Sequence, residues 1–229
     1  MPSGAEDPER RHSVAAAPEL ISDPRLKAEA ESRNGLLQFD LGLRIVEDAL
    51  AKGNAFRWRA SAVQALHREA LQGISEFAGN WRPSGVEIEG SAHLPVGAHL
   101  VAEKIEELCD YLNEHHHDRT AIQLAAYVMW RLNWIHPFTD GNGRTSRVFS
   151  YVVLCVKLGF PLGGTNSIPE QIVANRVPYF EALEAADAAW KRDVIDLTAM
   201  EQLLARLLAV QLTGVFDLAT GKHSLGSPL

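Results

Sequence analysis

His136-Pro137-Phe138-Thr139-Asp140-Gly141-Asn142-Gly143-Arg144-Thr145-Ser146-Arg147 stands between two apolar segments, residues 121–134 before it and residues 148–158 after it. A connection between two buried helices needs only a few polar turn residues. This one carries an imidazole, a carboxylate, two glycines, an amide and two guanidiniums. Pro137 disfavours the α region at His136, so the first helix is expected to stop at or before that residue. Asp140-Gly141-Asn142-Gly143 is turn chemistry, with both glycines free to take positive φ. Their backbone N–H groups can converge on an anion at the positive end of the following helix. Arg144 and Arg147 are three apart and share a helix face, each a planar fork suited to phosphate oxygens. Asp140 is a hard oxygen ligand of the kind Mg²⁺ takes together with substrate phosphates. His136 can accept a proton from an attacking hydroxyl. Phe138 reads as an apolar anchor for the loop. These residues point to a phosphate site and leave open which phosphoryl bond breaks.

With every fixed position filled, the stretch resembles the signature of the Fic (Fido) family, H-P-F-x-[DE]-G-N-G-R-x-x-R. The resemblance implies an all-α fold, a Fic-type helical domain with a small β-hairpin flap beside the active site. It implies a protein adenylyltransferase that moves AMP from ATP, with Mg²⁺, to a Ser, Thr or Tyr hydroxyl of a target protein and releases pyrophosphate. On that resemblance His136 is the general base and Asp140 holds the metal. Gly141, Asn142 and Gly143 make the anion hole for the α- and β-phosphates, and Arg144 and Arg147 clamp the pyrophosphate end. Transfer of UMP, phosphocholine or phosphate, removal of AMP, and a nucleotide-binding toxin–antitoxin type module remain as alternatives.

The chain has 229 residues, ample for a buried core in one domain. The expected division is a flexible leader over residues 1–24, a single Fic/Fido domain over 25–216 and a frayed tail over 217–229. A net charge of −7 argues against a general nucleic-acid or membrane surface. No apolar run of 18 residues and no signal peptide is read in the sequence. Cys109 and Cys155 lie in apolar helical runs, which suits buried free thiols and a reducing cytoplasm.

Periodicity predicts a helix over residues 26–50 with Leu36, Leu37, Phe39, Leu43, Val46 and Leu50 inward, ended by Gly53-Asn54. A second is expected over residues 61–77, with Val63, Leu66, Ala70 and Ile74 on one face and His67 in a packing or surface role. Val86 and Ile88 alternate with Glu87 and Glu89 between glycines, the one convincing β stretch. Residues 79–95 resemble the family's flap, with Val86, Glu87, Ile88, Glu89, Gly90 and Ser91 holding the target segment by strand addition. Further helices are expected over residues 101–113, 121–134, 142–158, 175–191 and 193–216. In the helix over 193–216, Leu197, Met200, Leu203, Leu207 and Leu212 are expected inward. His115-His116-His117 reads as a solvated loop. Tyr179, Phe180 and Asp187 match the family's spacing for residues enclosing adenine and ribose, although many members have Asn where Asp187 stands. The family's inhibitory motif, [ST]-x-x-x-E-[GN], has no match in the leader or the last helix. That leaves an unrestrained enzyme or an antitoxin-like inhibitor supplied in trans, and leaves a homodimer open.

Overall fold

The computed structural model describes residues 13–14 and 20–221. Most of the expected leader, and residues 222–229 of the expected tail, lie outside the described residues. The elements are β1 (Ser13–Val14), α1 (Pro24–Lys52), α2 (Ala60–Leu71), β2 (Glu87–Ile88), α3 (Val101–Glu114), α4 (Ala121–Ile135), α5 (Asn142–Leu158), α6 (Ile168–Ala174), α7 (Val177–Trp190) and α8 (Thr198–Ala219). The fold is all-α around α4 and α5, which pack on each other and on every other layer.

α4 starts from a reciprocal cap: Thr120 Oγ1 accepts from Gln123 N–H, and Gln123 Oε1 accepts from Thr120 N–H. Ten of its side chains, Leu124 to Leu132 without a break and then Ile135, are buried, as expected of a helix that is apolar nearly all round. Trp130 on it, and Phe138 and Phe149 beside it, are fully buried. Truncating any of these would cost about 3–5 kcal/mol. Cys109 and Cys155 are buried and free; burial pushes their thiols up to about 12 and about 11.

α1 packs by a different logic from the one its leucines suggested. Leu36 and Leu37 are 70% and 39% exposed. The buried face is instead Ala30, Asn34, Gln38, Gly42, Val46 and Ala49. The cause is close approach. A Cβ on Gly42 would sit 3.0 Å from Val152 Cγ2 of α5, so the larger side chains are turned away. Asn34 Nδ2 donates to Gln72 O at 2.8 Å and Gln38 Nε2 to Leu66 O at 3.1 Å, so α2 and its C-cap take the donors of both buried amides, while Asn34 Oδ1 has no hydrogen-bond partner.

α2 ends at Leu71, earlier than residue 77, because Gln72 leaves the helical region and Gly73 takes φ 71°. The last helix begins at Thr198 rather than 193, after Asp193 turns with φ 57° and Asp196 Oδ1 accepts from Thr198 N–H. It continues to Ala219, so the first residues of the expected tail are helical. Leu212 is 44% exposed. Its neighbour Gln211 points inward, accepting from Ile168 N–H and donating to Tyr151 Oη at 2.8 Å. Although no apolar run of 18 residues was read in the sequence, α8 is long and apolar enough by length and composition to match a membrane span. One face of it packs on α4, α6 and α7.

The flap is not a self-contained hairpin. β2 pairs antiparallel with β1, Ser13 opposite Ile88 and Val14 opposite Glu87. The strand that completes the ribbon therefore comes from the segment ahead of α1. After β2 the chain turns through Gly90 at φ 69°, with Ser91 N–H donating to Ile88 O.

Candidate active site

The loop between α4 and α5 is shaped by its own side chains. His136 caps α4 in the left-handed region, φ 52° and ψ 61°, an unfavourable place for a residue with a Cβ. It is held there by Arg82, which is almost fully buried. Arg82 Nε donates to His136 O at 2.8 Å, and Arg82 N–H donates to Pro137 O at 2.9 Å. Nη1 and Nη2 donate to Ser84 O and Val96 O. Asn142 closes the loop across itself: its Oδ1 accepts from Phe138 N–H and its Nδ2 donates to Phe138 O, both at 2.9 Å. Phe138 stacks on His67, with centroids 3.6 Å apart and planes at 4°. Gly79 N–H donates to His67 Nδ1, so the ring proton sits on Nε2 and is donated to Asp140 O at 3.0 Å. Burial pushes His67 down to about 4. This imidazole is a neutral strut of the loop, which bears out the packing role and discards the surface one.

Gly141 precedes α5 at φ 73°, and a Cβ there would meet Leu71 Cδ2 at 2.5 Å. Only glycine fits. Thr145 N–H is the first amide of α5 to bond back, to Gly141 O. The preceding N–H groups lie at an end with no side-chain cap, an arrangement that receives anions.

These parts open on a cavity of about 420 Å³. His136, Asp140, Gly141, Asn142, Gly143, Arg144 and Arg147 all line it. Tyr179, Phe180 and Asp187 from α7 and Ile88 and Ser91 from the flap line it as well. Val86 is buried beneath the flap, while Glu87, Glu89 and Gly90 are exposed. The asparagine side chain of the expected anion hole is engaged with Phe138, so Asn142 offers the cavity chiefly its backbone N–H. Asp140 is half exposed and its Oδ2 lies 3.3 Å from Arg144 Nη2. Burial lowers the Arg147 guanidinium, and Tyr179 beside it acts in the opposite direction. Asp187 Oδ1 accepts from Trp130 Nε1 at 2.8 Å, and its Oδ2 stands 3.6 Å from His93 Nδ1. His93 in turn holds Trp134 O through Nε2.

His136 itself is 6% exposed. Burial pushes its imidazole down to about 3, with a weaker upward pull from the Asn133 carbonyl. Nδ1 is buried with no hydrogen-bond partner. Nε2 is directed at Ser13 Oγ, 2.8 Å away. A ring neutral at physiological pH is the state a proton acceptor needs.

Three contributors were not singled out in sequence. Ser13 reaches the site across the β1–β2 ribbon. Glu31 of α1 pairs with Arg144 at 3.2 Å. Arg82, within the stretch 79–95 that resembles the flap, braces His136. Arg82 at least lies inside a stretch already read as part of the site; the other two come from distant segments.

Fold and site define a helical protein whose two central helices are joined by a loop that lines a cavity with an imidazole, a carboxylate and two guanidiniums. The model of the Fic/DOC family matches residues 58–154. The chain is 29% identical over 172 residues to the protein adenylyltransferase Fic of Drosophila persimilis, covering 73% of this chain and 32% of that protein. It thus spans about a third of that relative's length. A Fic-domain-containing signaling protein from Bacteroides thetaiotaomicron superposes with a TM-score of 0.71 at 21% identity, covering 88% of this chain and 76% of the other. The BepC protein of Bartonella tribocorum, solved with bound AMPPNP, gives 0.53 at 16% identity, covering 82% and 88%. At these identities the structural likeness establishes the fold.

Proposed function

We propose that this protein transfers AMP from ATP to a hydroxyl of a protein acceptor, with pyrophosphate leaving. The observation that carries the reading is convergence: a neutral imidazole, a half-exposed carboxylate, two guanidiniums and an uncapped helix start face one cavity of about 420 Å³. That is within the range of small-molecule sites. The names of the relatives and the AMPPNP bound to BepC favour ATP as the donor.

The phosphates would lie on the backbone of Gly141, Asn142 and Gly143, with Arg144 and Arg147 on the pyrophosphate end. Asp140 fits a divalent cation, since its carboxylate is a hard donor on the cavity wall and half open. Bound Mg²⁺ would supply charge that offsets the phosphate oxygens. His136 Nε2 takes the acceptor's proton as its oxygen attacks the α-phosphorus. Tyr179, Phe180 and Asp187 would enclose the base and ribose. The target's chain would run along β2, held by main-chain hydrogen bonds. Buried free thiols support a reducing compartment, the cytoplasm. Neutralising the charge that develops supplies most of the acceleration in such transfers.

Incubation with ATP labelled at the α- or the γ-phosphate tests the reading. Label should enter protein from the α position only. His136→Ala should lower it by about 10²–10⁴-fold while nucleotide still binds. Label from the γ position, or labelling indifferent to His136, would overturn it.

A further inference from the structure

We propose that Arg131 is a positioning residue for the base and ribose of the nucleotide: through the indole of Trp130 it sets the carboxylate of Asp187 on the cavity wall. The inference rests on the nucleotide pocket read above. Trp130 and Trp134 are four apart on α4 and share a face. Trp190 ends α7, three residues after Asp187. The Arg131 guanidinium lies among the three indoles, its Cζ 4.2 Å from the ring centre of Trp134, 5.3 Å from that of Trp190 and 5.6 Å from that of Trp130. Arg131 is 7% exposed, and its Nε and Nη1 are buried with no hydrogen-bond partner. Glu107 stands 3.5 Å from Nη2, but it is 45% exposed and also pairs with Lys104. A shared, solvated partner offsets little of the cost of burying a charge. For packing alone, a methionine would cover the same indoles without that cost. What the cation adds is orientation, since the indole faces are drawn to it.

The layer it orders reaches the cavity by two routes that end on one side chain. Trp130 Nε1 donates to Asp187 Oδ1 at 2.8 Å. The Trp134 carbonyl accepts from His93 Nε2 at 2.8 Å. A carbonyl only accepts, so that nitrogen carries a proton, and Nδ1 of the same ring is turned toward Asp187 Oδ2, 3.6 Å away. His93, Trp134 and Asp187 all line the cavity, and Arg131 stands one layer behind them. A carboxylate held from its inner side keeps its remaining lone pairs for the cavity. There it accepts from a donor on the nucleotide, a ribose hydroxyl or the amino group of the base. If the indole of Trp130 turns, that carboxylate loses its fixed direction.

Calorimetry of the full chain with Mg²⁺ and a non-hydrolysable ATP analogue tests this. Arg131→Met should lower the affinity about tenfold, the low end of what a hydrogen bond to a charged group contributes. Its melting temperature should hold or rise, because a poorly compensated buried charge is gone. In labelling of lysate proteins from α-labelled ATP, the ATP concentration for half-maximal rate should rise by the same factor while the maximal rate holds. Trp130→Phe keeps a ring, loses the N–H and should weaken binding alike. On an Asp187→Ala background Arg131→Met should cost nothing further, since residues that act through one another are not additive. Binding by Arg131→Met equal to wild type, a loss that adds to that of Asp187→Ala, or a loss that tracks a fall in melting temperature would overturn the inference and leave AMP transfer standing. Failure of the wild-type chain to bind the analogue would remove the nucleotide reading, and this one with it.

Discussion

Glu31 Oε1 lies 3.2 Å from Arg144 Nη2, an ion pair that ties α1 to the first turn of α5. Both side chains are mostly shielded, at 23% and 22% exposed, and both line the cavity. The guanidinium proposed to meet the pyrophosphate end thus already has a carboxylate partner supplied by another helix. A phosphate arriving there has to compete with it.

Replacing Glu31 with Gln removes that competitor and keeps the shape. Nucleotide affinity is expected to rise by up to about fivefold, roughly 1 kcal/mol. Titration calorimetry of the two proteins with a non-hydrolysable ATP analogue measures it. Equal or weaker binding by the variant would show that the carboxylate does not compete.

Arg82 is the brace of the left-handed His136. Arg82→Met leaves the His136, Ser84 and Val96 carbonyls without their donor. Loss of about 3 kcal/mol or more is expected, since hydrogen bonds to a charged group contribute about 1.5–3 kcal/mol each. Thermal melts follow the stability. Transfer rate should fall further than nucleotide binding does, because the imidazole is misplaced. Arg82→Lys should rescue little, having one ammonium where three carbonyls were bridged by a fork.

Glycine at 141 is required on two counts, positive φ and the 2.5 Å approach to Leu71. Gly141→Ala should destabilise by about 2–4 kcal/mol, combining backbone strain with the clash. Gly35→Ala is the matched control: it lies in α1 with nothing within 4 Å of the added Cβ. There the change should stabilise by about 0.5–1 kcal/mol. Denaturant midpoints read both, and equal effects at the two positions would refute the account of the loop.

Acid should weaken the fold through its two buried imidazoles. His67 and His136 hold their protons only below about 4 and about 3 in the native state, against about 6.5 unfolded. Between those limits the unfolded chain binds more protons, so stability falls as pH drops through 6.5 and levels off below the native values. The slope approaches about 1.4 kcal/mol per pH unit for each ring. Urea titrations of the nucleotide-free protein from pH 8 to 4 measure it. His67→Gln should halve the dependence; a flat profile would mean that neither ring is buried neutral.

The loop from His136 to Arg147 was legible because its information is local: a proline, two glycines and charged residues in fixed register state their own geometry. The buried helices α4 and α5 were legible for a similar reason, since a helix apolar on every side has nowhere to go but inward. α1 was misread in its packing because contact there depends on smallness. Asn34, Gln38 and Gly42 look like surface residues until α2 and α5 supply carbonyls and a close wall. The flap's partner strand was illegible as well. Ser13 and Ile88 are far apart in the chain, and nothing about residues 13–14 marks them as a strand. Glu31 was hidden in the same way, one acidic residue among several on a helix whose orientation only tertiary packing sets.

The clasp between Asn142 and Phe138, backed by the His67 stack, has a thermodynamic consequence. The bend around the proposed nucleotide site takes its final shape when the protein folds. Nucleotide meets a finished mould, so little ordering entropy remains to be lost at association. Binding should then proceed in a single kinetic phase, with a heat-capacity change set by the ligand surface covered and none from a folding loop.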